Sequence, residues 1–204
     1  AGRSFQLSRF EFNRKFHQKG SGPRGRRTFG VIAPASPPIE WRGIEGSRQH
    51  AVVFPSNDEF EFVSQPGFGG DTYSLPEERL LQAARCLDRV DVVEELPSGQ
   101  GLIETDPIRM EFFRRRLDEL HFLSEVSQTR TVDEALVADA EFGAIAALLE
   151  MLGTSRRAGS GPPDLTSRSR VFQMALDYID AHASRAFSIS ELCSVLGVSW
   201  RMLD

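Results

Sequence analysis

The sequence predicts an α+β fold: a β-rich N-terminal half forming a compact barrel or sandwich, two long helices, and the start of an all-α unit. Three observations predict it. Up to about residue 75, short runs alternate apolar and polar positions between turns rich in Gly, Pro, Ser and Asn. After Pro76 the apolar period lengthens to that of a helix. A stretch rich in Gly, Pro and Ser at 153–167 then separates these helices from a last helical segment.

The strands come in order. Phe10, Phe12 and Phe16 share one parity, as in a half-buried strand. The turn Gly20-Ser21-Gly22-Pro23 leads through Arg24-Gly25-Arg26-Arg27 into an apolar strand at 28–32. Pro34 to Pro38 break it. Ile39-Glu40-Trp41-Arg42-Gly43 reads as a strand running into a turn. Two more strands, at 51–54 and 59–63, flank the turn Pro55-Ser56-Asn57-Asp58.

Leu80, Ala83, Ala84 and Leu87 then recur at helical spacing, with Glu77 and Glu78 suited to a first turn. An extended piece is expected at 90–96, followed by the turn Pro97-Ser98-Gly99-Gln100-Gly101. The first long helix, about 106–126, takes Asp106 as N-cap and Pro107 at its first position, and buries Met110, Phe113, Leu117 and Leu120. The second, about 132–152, carries the stripe Leu136, Ala140, Gly143, Ala144, Ala147 and Met151. Its small residues allow another helix to come close. That helix belongs either to the same chain's core or to a second copy. The second reading expects a homodimer through Phe113, Leu117, Ala140, Gly143, Ala144 and Ala147.

These features divide the chain into an N-terminal unit at 1–152, a linker at 153–167 and a C-terminal helical unit at 168–204. Val171, Met174, Ala175, Tyr178 and Ile179 form an apolar stripe in the last. Ser188-Ile189-Ser190-Glu191 is a capping box. Leu192 and Leu196 are buried positions of the helix it opens, Gly197 suits a tight turn, and Ser199 caps a following helix. Helix, tight turn and new helix in this order make a helix-turn-helix.

Charge is divided unevenly. Residues 1–50 hold ten Arg/Lys against three Asp/Glu, a net of +7, while 51–151 hold eight against twenty-one, a net of −13. Lys15 and Lys19 are the only lysines, so the basic segment is one of arginine, suited to bidentate anion contacts. No run of about eighteen apolar residues marks a membrane span. The separated Cys86 and Cys193 read as buried thiols rather than a disulfide framework, and a cytoplasmic location is expected. His17, His50, His121 and His182 are scattered, and His50 with Glu45 is a poor approach to a metal pair. No catalytic residues, metal site or resident cofactor are expected.

The C-terminal sequence resembles the AraC family of transcription regulators. The resemblance is carried by Ala175-Leu176-Asp177-Tyr178-Ile179-Asp180-Ala181-His182, by Ser188-Ile189-Ser190-Glu191-Leu192, and by Leu196-Gly197-Val198-Ser199-Trp200-Arg201-Met202-Leu203. Looser likenesses are Trp41-Arg42-Gly43 and Val63-Ser64-Gln65-Pro66-Gly67-Phe68. The resemblance implies a cupin-like β-barrel that senses a small effector, a homodimer, and a DNA-binding domain with two helix-turn-helix motifs. Ser199, Trp200 and Arg201 would then lie on the first DNA-reading helix. The sequence stops within that helix, so a C-terminally truncated regulator is expected, with little DNA affinity of its own.

Two effectors compete. A neutral metabolite would sit inside the barrel against Trp41, Phe29 and Phe54, with His17 or His50 as polar contacts. An anionic nucleotide would be held by the arginine loop. A branch of AraC-like regulators is similar to PilZ domains in binding cyclic di-GMP, which implies Arg24, Arg26 and Arg27 with Ser98 and Gly101 as ligand contacts here. The match departs from that pattern at Leu96 and in the arginine spacing. The basic first segment favours the anionic reading. A ligand-free dimerising scaffold is a third.

Overall fold

The computed structural model describes residues 5–154 apart from 42, 56–58, 95 and 97–100, and then 156–157, 175, 178–179, 182, 185 and 188–196. The strands are β1 (Gln6–Phe12), β2 (Phe16–Ser21), β3 (Arg26–Ile32), β4 (Ile39–Trp41), β5 (Ile44–Gly46), β6 (His50–Phe54), β7 (Glu59–Ser64), β8 (Phe68–Pro76), β9 (Gly101–Glu104) and β10 (Arg156–Arg157). The helices are α1 (Glu77–Cys86), α2 (Val90–Glu94), α3 (Pro107–Thr129), α4 (Glu134–Leu152) and α5 (Ile189–Leu196).

The strands form two open antiparallel sheets, not a closed barrel. One has the order β1-β8-β3-β6-β9-β10 and the other β2-β7-β4-β5. Period-2 alternation explains the layering. On β3, Phe29 and Val31 face one way and join Val53, Tyr73, Leu75 and the helices in one apolar core. Ile32, with Val52, Phe68 and Leu102, faces the other way and meets Ile39, Trp41, Phe60 and Phe62 of the smaller sheet in a second core. The larger sheet is thus buried on both faces, between the smaller sheet and the helices. At Gly70 a Cβ would stand 2.4 Å from the Val31 carbonyl oxygen, so β8 and β3 meet there only through glycine.

Asp106 caps α3, accepting from the amides of Ile108 and Arg109 at 3.0 Å each, and Pro107 occupies the first turn. Met110, Phe113, Leu117 and Leu120 are buried as expected. Other expectations are corrected. The piece at 90–96 is not extended: its central residues form α2, which buries Val92 and Val93. Cys86 is exposed at the end of α1, and Cys193 is half-buried. Leu136 is exposed, because burial along α4 begins one turn later at Ala140. The chain beyond α4 does not leave as plain linker: Arg156 and Arg157 pair with Glu104 and Ile103, adding β10 to the sheet edge.

Tyr73 is fully buried on the helix side of β8, and its hydroxyl has no hydrogen-bond partner among the described residues. Burial pushes the phenol well above its ordinary range, so it stays neutral. Tyr73→Phe removes only an unsatisfied hydroxyl. It is expected to keep or raise stability, by at most about 1 kcal/mol in urea unfolding. A loss larger than that would mean the hydroxyl is bonded.

Candidate effector site

The arginine loop enters β3 through Gly25, whose φ of +69° is the left-handed conformation that favours glycine. Its carbonyl accepts from the Glu77 amide at 3.1 Å, tying the loop to the start of α1. Strand alternation then separates the arginines. Arg26 lies on the face turned to the smaller sheet, and its guanidinium donates to the Ser74 hydroxyl (3.1 Å) and carbonyl (2.7 Å). Thr28 donates to the same hydroxyl at 2.9 Å. Arg27 lies on the opposite face, nearly buried, and pairs with Glu77 at 3.2 Å. Arg24 stands in the exposed turn. Three arginines within four residues therefore do not form one anion fork: a β backbone turns neighbours to opposite faces.

The other expected contacts are also apart. Gly101 pairs with Val53, which pairs in turn with Phe29, so Gly101 lies two strands from β3, roughly 10 Å away. Ser98 is outside the described residues. Trp41 is core, 2% exposed. It stacks on Phe60 and Phe62 and meets Phe54 edge-on. Phe29 is on the wrong face for a cavity between the sheets. His17 is exposed and pairs with Glu61 at 2.5 Å, and the His50 ring accepts from the Ser47 amide at 3.1 Å. The space between the sheets, beside Trp41, Phe54 and Phe68, measures only about 20 Å3. That admits a water but no metabolite. Among the described residues no group of three or more His, Cys, Asp or Glu could hold a metal ion. No described helix is long and apolar enough to cross a membrane.

The residues expected at a dimer interface are placed inside one chain. Phe113 and Leu117 of α3 and Ala140, Ala144 and Ala147 of α4 are all buried in the core shared with the larger sheet. Gly143 lies against Arg116 of α3. The small-residue stripe serves helix packing within the fold.

A charged groove of about 620 Å3 lies elsewhere, between the β1-β8-β3 end of the larger sheet and α3. Arg9, Asp71, Glu111, Arg114 and Asp118 line it. Sequence reading missed it, because these positions are spread over more than a hundred residues and form no local motif. Arg9 donates to Asp71 at 2.8 Å and to Asp118 at 2.5 Å, which holds its guanidinium protonated more firmly than usual. Asp71 also contacts His121 Nε2 at 3.0 Å. Arg114 donates to the Ile32 and Arg48 carbonyls at 2.9 and 2.5 Å; burial lowers its pKa.

Near the C-terminus, the Ser188 hydroxyl accepts from the Glu191 amide at 3.1 Å, as the capping box requires. Leu192 and Leu196 of α5 are buried. Tyr178 donates to the Glu191 carboxylate at 3.0 Å, and Arg185 pairs with the same carboxylate and donates to the Tyr178 hydroxyl at 2.9 Å. Those donors hold the Glu191 carboxyl below its ordinary range. Ser199, Trp200 and Arg201 lie outside the described residues.

No protein-family model matches the chain, and no curated protein matches it. Among solved structures, it is similar to the AraC-like transcriptional activator CuxR, at 14% identity and a TM-score of 0.49, over 98% of this chain and 69% of that one. It is also similar to ToxT from Vibrio cholerae O395, at 9% identity and a TM-score of 0.44, over 99% of this chain and 73% of that one. An apo ToxT K231A structure from Vibrio cholerae strain SCE256 gives 8% identity and a TM-score of 0.45, over 99% and 79%.

Proposed function

We propose that the chain is an effector-responsive, DNA-binding transcription regulator of the AraC type. The observation that carries the reading is the capped helix α5. Ser188 caps it, Glu191 fastens it to Tyr178 and Arg185, and Leu192 and Leu196 anchor it. In sequence it runs directly into Gly197-Val198-Ser199, the turn and cap of a helix-turn-helix. The test is selection of duplex DNA from a random pool by the protein at its natural length. One motif should be enriched, with affinity falling steeply as salt rises. Recovery of no motif overturns the reading.

The effector proposed is an anion such as cyclic di-GMP, with Arg24 and Arg26 as its anchors. Arg26 lies two residues along β3 from Thr28, whose cross-strand partner Phe54 belongs to the aromatic group around Trp41. A guanidinium beside aromatic rings suits a ligand with both a phosphate and a flat base. Calorimetry at low salt should show binding that Arg26→Ala weakens by about tenfold or more, while Arg27→Ala leaves it in place. No binding heat with cyclic di-GMP removes this effector.

The chain is further proposed to form a homodimer through the outward face of α3. Ile108, Phe112 and Phe122 are 79%, 49% and 63% exposed and fall within about 80° of one another around the helix. Three large apolar side chains on one face suit a self-complementary contact. Phe112→Glu is expected to leave the melting temperature nearly unchanged and to convert dimer to monomer in light scattering. A dimer that survives the substitution excludes this face.

A further inference from the structure

We propose that the groove between the larger sheet and α3 is a second ligand site, for a small organic cation with an apolar stem. It is a different site from the Arg24–Arg26 edge and takes ligands of the opposite charge. The groove's volume of about 620 Å3 falls within the range of small-molecule sites, roughly 300–1,000 Å3. Its walls come from two different layers, so the groove exists only in the folded protein.

The internal cation of the groove indicates what it recognises. Arg9 reaches from β1 across to α3, placing one guanidinium between Asp71 and Asp118 at 2.8 and 2.5 Å. The fold has thus built a carboxylate-lined seat for a planar cation at one end. The other two carboxylates of the lining are used far less. Glu111 has only long contacts, 3.7 Å to Arg114 and 3.6 Å to Arg115. Glu11 makes no ion pair among the described residues. Arg114 cannot neutralise them well, because its Nη2 donors are directed to the Ile32 and Arg48 carbonyls.

The rest of the lining is apolar, an observation independent of the charges. Phe10, Val31, Ala33 and Pro34 supply hydrocarbon surface beside the carboxylates. A hydrated metal ion gains nothing from such a surface. An alkyl amine or alkyl guanidine gains on both counts: its head pairs with Glu11 and Glu111, and its methylenes lie on the apolar part.

The test is calorimetry of the purified protein with agmatine, which carries a guanidinium and an ammonium on a four-carbon stem. Glutarate serves as a dianion of similar length. Agmatine should bind at low salt and glutarate should not. Glu11→Gln with Glu111→Gln should weaken agmatine binding by about tenfold or more. Both glutamates are on the surface, and circular dichroism of the double variant should match the parent. Absence of agmatine heat, equal affinity in the double variant, or tighter binding of glutarate each overturns the proposal. None of these results depends on DNA binding or cyclic di-GMP, so the regulator reading stands or falls separately.

Discussion

Ala144→Glu is expected to abolish the cooperative fold, not to split an assembly. Ala144 is 0% exposed, in the middle of α4, within the core that joins α3, α4 and the larger sheet. Glutamate there must either bury a charge with no partner or push the helices apart. Either outcome costs several kcal/mol, out of a total stability of about 5–15 kcal/mol for a typical domain. Circular dichroism should show loss of the folding transition or a fall of many degrees. Gly143→Ala, one residue away, is the control. Its new Cβ would stand 3.7 Å from the Arg116 side chain, an ordinary contact, so the melt should hardly move. An Ala144→Glu protein that melts like the parent but runs as a monomer would restore the interface read from the sequence.

That outcome turns on a limit of periodicity. The stripe of Ala140, Ala144 and Ala147 correctly marks a buried face, but a buried face does not say which helix covers it. The partner is α3 of the same chain, whose own stripe of Met110, Phe113, Leu117 and Leu120 was equally legible. Most strands were legible too, because Phe10, Phe29 and Phe60 alternate with polar positions between strong turns. β9 was not: four residues are too few to display a period, and its Gly101 reads as turn. α2 was missed because its β-branched run Val90-Asp91-Val92-Val93 favours a strand until tertiary packing overrides it. The arginine loop failed for a different reason. Closeness in sequence suggested one anion site, yet in a strand adjacent residues are the ones kept apart. The groove shows the converse, since Arg9, Asp71 and Asp118 meet only after the sheet has formed and α3 has packed on it.

Trp41→Ala is expected to destabilise the protein by about 3–5 kcal/mol, whatever the effector proves to be. Trp41 lies 5.9 Å, centroid to centroid, from both Phe60 and Phe62, and meets Phe54 edge-on at 5.3 Å. Each such aromatic pair contributes about 0.5–1.5 kcal/mol beyond its buried area, so truncation loses three contacts and opens a void between the sheets. Trp41→Phe should cost much less, since it keeps a ring and removes an indole N–H that has no partner among the described residues. Thermal melts should therefore order the three proteins as parent, Phe variant, Ala variant. The void in the alanine variant is apolar and close to the size of an indole ring, so added indole should raise its melting temperature. The parent, with about 20 Å3 between the sheets, should not respond. A parent melt that rises with indole as steeply as the variant's would show that the sheets part readily. The sandwich interior would then return as the seat of a neutral metabolite, with Trp41 as its wall.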